Sequence, residues 1–112
     1  MSVQPSVLVL LGAPEPIVLS KLVETSTRFG LPESERFIDA DNDMTVGGIA
    51  LFKGADISSF PILNSIFDAL CAETDWELTL DWDGLDEEPD FPYKSLSRPA
   101  GAKEPVLLWP DD

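Results

Sequence analysis

The stretch from Trp76 to Trp82 alternates between large apolar side chains and polar ones. Successive side chains of a β-strand point to opposite faces of the sheet, so a period of two predicts a strand. The apolar side carries two tryptophans and two leucines and is the better candidate for contact with a core. We therefore predict a strand over residues 76–82 with one face buried and one face wet.

Three further strand patterns and two helical patterns complete the chain. Mainly apolar runs predict strands over residues 7–11 and 45–53, and a shorter pattern predicts one over 36–40. Apolar residues at helical spacing predict helices over residues 16–29 and about 61–73, each with proline at its start.

The resulting order is strand, helix, strand, strand, helix, strand. This is the βαββαβ pattern of ferredoxin-like folds, which are two-layer α+β sandwiches. In that topology the first and third strands are central, and the second and fourth are edges. The first and third predicted strands are almost entirely apolar, whereas the fourth alternates, as expected for an edge with one wet face. We therefore predict a ferredoxin-like α+β fold.

The composition changes near residue 88. Residues 89–112 contain five of the ten prolines of the chain, and proline interrupts both helices and sheet ladders. A length of 112 residues suits one domain. We predict a single domain over residues 1–88 and a Pro-rich C-terminal tail over residues 89–112 that packs on it, with YKSL and VLLW as candidates for short edge strands.

Negative charge dominates the chain and is concentrated in one part of it. The net charge is −14, and the 40 residues between Lys53 and Lys94 contain 11 acids and no base. Such a protein is repelled by nucleic acids and by anionic membranes. The sequence has no apolar run long enough to cross a membrane. We expect cations or basic proteins as partners.

The clearest metal-binding pattern is incomplete. Asp39, Asp41 and Asp43 stand at alternate positions, as at the start of an EF-hand calcium loop. Met44 and Ala50 occupy the positions where that loop needs a glycine and a bidentate glutamate. The acids between residues 81 and 87 also lack a loop signature. We predict no metal site and keep weak divalent-metal binding as an alternative.

The chain also lacks the usual equipment of an enzyme. It contains no histidine, and no GxSxG, P-loop or GxGxxG pattern occurs. Cys71 is the only cysteine, lies in an apolar helical pattern and cannot form an internal disulfide, which favours a core position and a reducing, cytoplasmic compartment. We predict a protein without catalytic residues or cofactors.

Residues 75–93 form the candidate partner-binding surface. Polar residues on the wet face of a strand, and charges that protect a sheet edge, are ordinary structural features. A complete lack of bases is harder to explain in this way, because mixed signs would reduce self-repulsion. The tryptophans are either core residues or interface anchors. The candidate residues are Asp75, Glu77, Asp81, Asp83, Asp86, Glu87, Glu88, Asp90, Trp76, Trp82, Phe91 and Tyr93.

By charge, size and fold class the chain resembles immunity proteins and other protein inhibitors of basic toxins. That resemblance implies a non-enzymatic binding protein that neutralises a basic protein, such as a nuclease-type toxin, by occupying its active cleft. A nucleic-acid-mimicking, phage-type inhibitor of a host nucleic-acid-binding complex is a close variant. The alternatives are a small regulatory or assembly domain that self-associates and a weak divalent-metal binder. The oligomeric state stays open.

Overall fold

The chain folds as an α+β protein in which two helices pack on one antiparallel sheet, as the computed structural model shows. This confirms the predicted α+β class. The structure describes residues 5–11, 14–31, 34–38, 47–51, 57–82, 84–87 and 89–107.

All six predicted elements are present, with ends that differ from the predicted ones by a few residues. Two further strands follow them in the segment that we predicted to be a tail. The elements are β1 (Ser6–Leu11), α1 (Glu15–Phe29), β2 (Ser34–Ile38), β3 (Gly47–Leu51), α2 (Phe60–Glu73), β4 (Glu77–Asp81), β5 (Leu96–Arg98) and β6 (Val106–Leu107). Single 3₁₀ turns cover Ile57–Ser59 and Leu85–Glu87.

Proline and glycine define the two ends of α1. Pro14 is the N-cap residue and Pro16 follows in the first turn. A proline there costs no hydrogen bond, because the first N–H groups of a helix have no partner within it. Gly30 ends the helix with a φ of 68°, in the left-handed region. The backbone N–H of Leu31 donates to the carbonyl oxygen of Ser26 at 3.0 Å, which closes the last turn.

The strands lie in the order β2-β3-β1-β4-β5-β6 and every adjacent pair is antiparallel. β1 and β3 lie inside the sheet, as predicted, and β2 is an edge. The prediction that the fourth strand is an edge is wrong, because β5 pairs with β4 on its outer side. β5 and β6 therefore extend the sheet beyond β4.

Cross-strand pairs separate the two faces of the sheet. Val7 pairs with Ile49 on one side and with Leu80 on the other, and all three side chains are fully buried. Alternation places their strand neighbours on the opposite, helix-free face. There Ser6 pairs with Asp81, and both are only half-buried. The helices thus cover the face that carries the large apolar residues.

Candidate functional site

Two of the predicted acidic residues lie on the helix-free face of β4. Glu77 and Asp81 flank Thr79 on this face, and both residues are half-buried. Alternate residues of a strand lie roughly 7 Å apart, so these two carboxylates stand about two such steps from each other. Asp75 is exposed and precedes the strand. The alternation predicted from the sequence therefore places acids on the outer face and apolar residues inside.

The other predicted acids lie on the connection between β4 and β5. Glu87 ends the 3₁₀ turn and is exposed, and Asp90 is exposed further along the connection. Asp83, Glu88 and the side chain of Asp86 fall outside the part of the chain that the structure describes. The described part therefore places two carboxylates on the strand and two on the segment that leaves it.

Both predicted tryptophan anchors lie in the core. The side chain of Trp82 is fully buried, and Trp76 is 8 % exposed. The reason is the same alternation, because Trp76 and Trp82 continue the apolar side of β4 towards the helices. This corrects the predicted partner-binding surface. Of the two interpretations of the tryptophans, core residues or interface anchors, the structure supports the first.

Phe91 and Tyr93 join Trp82 in an aromatic cluster. Tyr93 stacks on the indole with ring centroids 5.1 Å apart, and Phe91 meets it edge-on at 5.4 Å. Phe60, at the start of α2, completes the cluster at 5.4 Å from Trp82. Phe91 and Tyr93 remain half-buried. The cluster joins the acidic connection to the helical layer, so these two predicted residues lie at the boundary between core and surface.

Sequence reasoning missed Arg98, which is 2 % exposed. Its guanidinium bonds backbone carbonyl oxygens at the end of α2 and the start of β4. A single arginine between Ser97 and Pro99 carries no local sign of burial, since arginine is ordinarily exposed. Only the pairing of β5 with β4 turns this side chain towards the helices.

Glu73 was also not singled out, although it joins the two helices. One carboxylate oxygen accepts a hydrogen bond from Lys21 Nζ at 2.7 Å, and the other accepts one from Arg28 Nη2 at 2.7 Å. The hydrogen bond from Lys21, followed by that from Arg28, lowers the pKa of Glu73. Lys21 and Arg28 stand on α1 seven positions apart, which is about two helical turns. The spacing alone could have suggested a shared acidic partner.

Cys71 is a poor candidate for a nucleophile. The residue is half-buried in α2, and burial is the largest influence on its thiol and raises its pKa. The positive charge of Arg98 lowers that pKa and the negative charge of Asp68 raises it, but the net direction is upward. A thiol with a raised pKa is protonated at neutral pH and reacts slowly.

The described residues contain no group of three or more His, Cys, Asp or Glu side chains arranged to hold a metal ion. Asp39, Asp41 and Asp43 lie outside the described residues. Within the described part of the chain, no helix is long and apolar enough to cross a membrane. No family model, curated protein or solved structure matches this chain.

Proposed function

We propose that this chain is a non-enzymatic, acidic binding protein that inhibits a basic protein partner. The observation that carries the proposal is the separation of charge along the chain. Residues 54–93 contain 11 acids and no base, and the acids of β4 lie on the face of the sheet that the helices leave uncovered. Self-repulsion within such a segment lowers stability, and a partner of opposite charge would relieve it.

The partner class that fits best is a basic nuclease-type toxin or another nucleic-acid-binding protein. Carboxylates spaced along a strand can occupy a groove that binds phosphates, which repeat along nucleic acids on a comparable scale. Opposite charges also steer association, and the gain in rate is roughly 10- to 1000-fold at low salt. The chain would then act as an immunity protein or as a nucleic-acid-mimicking inhibitor.

The proposed contact surface consists of the acids and the exposed edge of the aromatic cluster. Glu77 and Asp81 supply carboxylates on the sheet, while Phe91 and Tyr93 supply half-buried apolar area beside the acidic connection. Trp82 supports these rings from the core. The acids in this proposal are Asp75, Glu77, Asp81, Asp83, Asp86, Glu87, Glu88 and Asp90.

We also infer that β1 to β4, together with both helices, form a ferredoxin-like unit that β5 and β6 extend. The order of these four strands, β2-β3-β1-β4, and their antiparallel pairing support this inference. A cytoplasmic, reducing compartment remains our proposal for the location, and it rests on the single cysteine.

A pull-down from the source cell with charge-reversal variants tests the proposed function. The test variant is Glu77→Lys with Asp81→Lys, and the control is Glu104→Lys, which changes an exposed acid outside the base-free segment. We expect the wild type and the control to capture a basic protein that the double variant binds at least about tenfold more weakly. Undiminished capture by the double variant would contradict the acidic-face proposal.

Self-association is a second candidate, and the exposed apolar residues of β6 favour it. Val106 is 57 % exposed and Leu107 is 50 % exposed, and edge strands are sites of sheet-to-sheet pairing. Light scattering over a range of salt concentrations distinguishes the candidates. A dimer that Val106→Lys converts to a monomer would support self-association. A monomer at every salt concentration would argue against self-association and leave the inhibitor as the remaining one of the two candidates.

A further inference from the structure

Arg98 is a buried charge in the C-terminal part of the sheet. The residue belongs to β5 and is 2 % exposed, although an arginine is rarely buried unless it is well paired. Among the described residues its acceptors are backbone carbonyl oxygens and one hydroxyl group. Burying a guanidinium is costly, so these acceptors must offset its lost hydration. Such a site indicates a specific structural task.

The acceptors concentrate at the junction between α2 and β4. Arg98 Nη1 donates to the carbonyl oxygen of Cys71 at 2.8 Å, and Nη2 donates to that of Thr74 at 2.9 Å. The carbonyl oxygen of Trp76 accepts from both Nε and Nη2, at 2.9 and 2.6 Å. The last carbonyl groups of a helix have no partner within it and carry the negative end of its dipole. Arg98 therefore acts as a distant C-terminal cap for α2.

The same guanidinium holds its own segment in place. Nη1 also donates to the carbonyl oxygen of Ala102 at 3.2 Å, within the turn between β5 and β6. The backbone N–H of Gly101, in that turn, donates to the carbonyl oxygen of Asp75 at 2.9 Å. At the other end, the N–H of Trp82 donates to Ser95 Oγ at 3.1 Å. Three sets of contacts thus attach the segment along the length of β4.

We propose that residues 95–107 form a strap that Arg98 locks across the outer edge of β4. Through one side chain, the lock joins the end of α2, the start of β4 and the β5–β6 turn. We therefore expect these three parts to unfold locally in one step. Without the lock, β4 becomes an exposed strand edge beside the aromatic cluster. This inference is independent of the proposed partner.

Hydrogen exchange on the full chain, measured by mass spectrometry, tests the lock. Arg98→Met keeps the length and apolar volume of the side chain but removes its donors, and Arg98→Lys keeps the charge but loses the planar fork. Lys103→Met is the control, because it removes one positive charge from an exposed position in the same segment. We expect both Arg98 variants to exchange at least about tenfold faster in residues 71–82 and 95–107, and the control to match the wild type.

Wild-type exchange over residues 71–82 and 95–107 in the Arg98→Met variant would overturn the proposal. If that variant does not fold, exchange of the wild type in low concentrations of urea gives the answer. We expect residues 95–107 and the α2–β4 junction to share one opening transition. Opening of residues 95–107 at a lower urea concentration, with the junction still protected, would overturn the lock.

Discussion

The rings of Trp82 and Tyr93 stack with their centroids 5.1 Å apart and an angle of 24° between their planes. Trp82 ends the alternating stretch that first defined β4, whereas Tyr93 belongs to the segment that we predicted to be a tail. Offset stacking between aromatic rings contributes about 0.5–1.5 kcal/mol beyond the burial of their area. This contact therefore joins the two parts of the chain and keeps the predicted anchor inside the core.

The indole N–H of Trp82 makes the effect of its replacement unusual. Among the described side chains, Trp82 Nε1 is the buried polar atom left without a hydrogen-bond partner. An unsatisfied buried donor costs about 1–3 kcal/mol. Replacement of Trp82 by phenylalanine removes that donor but also loses ring volume, and the two effects oppose each other. We expect Trp82→Phe to change the free energy of unfolding by less than about 1 kcal/mol.

Urea denaturation followed by circular dichroism measures this change. Trp76→Phe is the matched control. Trp76 is also buried, but its indole nitrogen is not a fully buried atom without a hydrogen-bond partner. We expect the control to cost more than Trp82→Phe. A larger loss of stability for Trp82→Phe would mean that its N–H is satisfied in solution.

The two hydrogen bonds that Glu73 accepts from Lys21 and Arg28 predict that the stability of the protein depends on pH. Hydrogen bonds from Lys21 and Arg28 lower the pKa of Glu73 in the folded state, so folding favours the ionised carboxylate. This contribution is present above the pKa of the unfolded chain and is lost as the pH falls through the lower folded value. We expect Glu73→Gln to reduce stability at neutral pH and to match the wild type once the pH is below the folded pKa of Glu73.

Chemical denaturation between pH 2 and 7 measures the difference between the two proteins. Glu104→Gln, which removes an exposed carboxylate of the β5–β6 connection, controls for the change in net charge. Added salt should also reduce the effect, because the pairs are at the surface. If the difference in the free energy of unfolding between the two proteins stayed constant with pH, the hydrogen bonds from Lys21 and Arg28 to Glu73 would not be formed.

The end of α1 gives a test of backbone conformation. Gly30 has a φ of 68°, which a residue with a side chain adopts only at a cost, while no atom lies near enough to obstruct an added Cβ. We therefore expect Gly30→Ala to lower the free energy of unfolding by about 1 kcal/mol, through strain alone. Thermal unfolding measures it, and Thr27→Ala, at an exposed position of the same helix, should change stability by less than about 0.5 kcal/mol. Equal effects would argue against the left-handed cap.

Adjacent residues of β4 should respond very differently to truncation. Leu80 is fully buried against the helices, whereas Thr79, which is 6 % exposed, faces the other side of the sheet. We expect Leu80→Ala to lower the free energy of unfolding by about 2–5 kcal/mol, because it leaves a cavity in the core. Thr79→Ala should cost about 1 kcal/mol, because it removes only one methyl and one hydroxyl group. Comparable losses in denaturant unfolding would contradict the assignment of the two faces.

Much of the fold could be predicted because its signals are local. The periods of two and 3.6 report directly which side of an element meets the core, so β4 and both helices were predicted with nearly correct ends. The place of the acids on the outer face of β4 followed from the same alternation. Trp76 and Trp82 were harder, because large apolar side chains are suited to a core or to an interface, and periodicity does not distinguish the two.

The sequence by itself determined the order of the two helices and β1 to β4, the two faces of β4 and the concentration of negative charge between residues 54 and 93. Only the tertiary structure decided that β4 lies inside the sheet and that Arg98 is buried. The bonds of Arg98 join residues up to 27 positions apart, and Glu73 reaches back 52 positions to Lys21. Such contacts depend on which strands and helices become neighbours, and local periodicity carries no information about that choice.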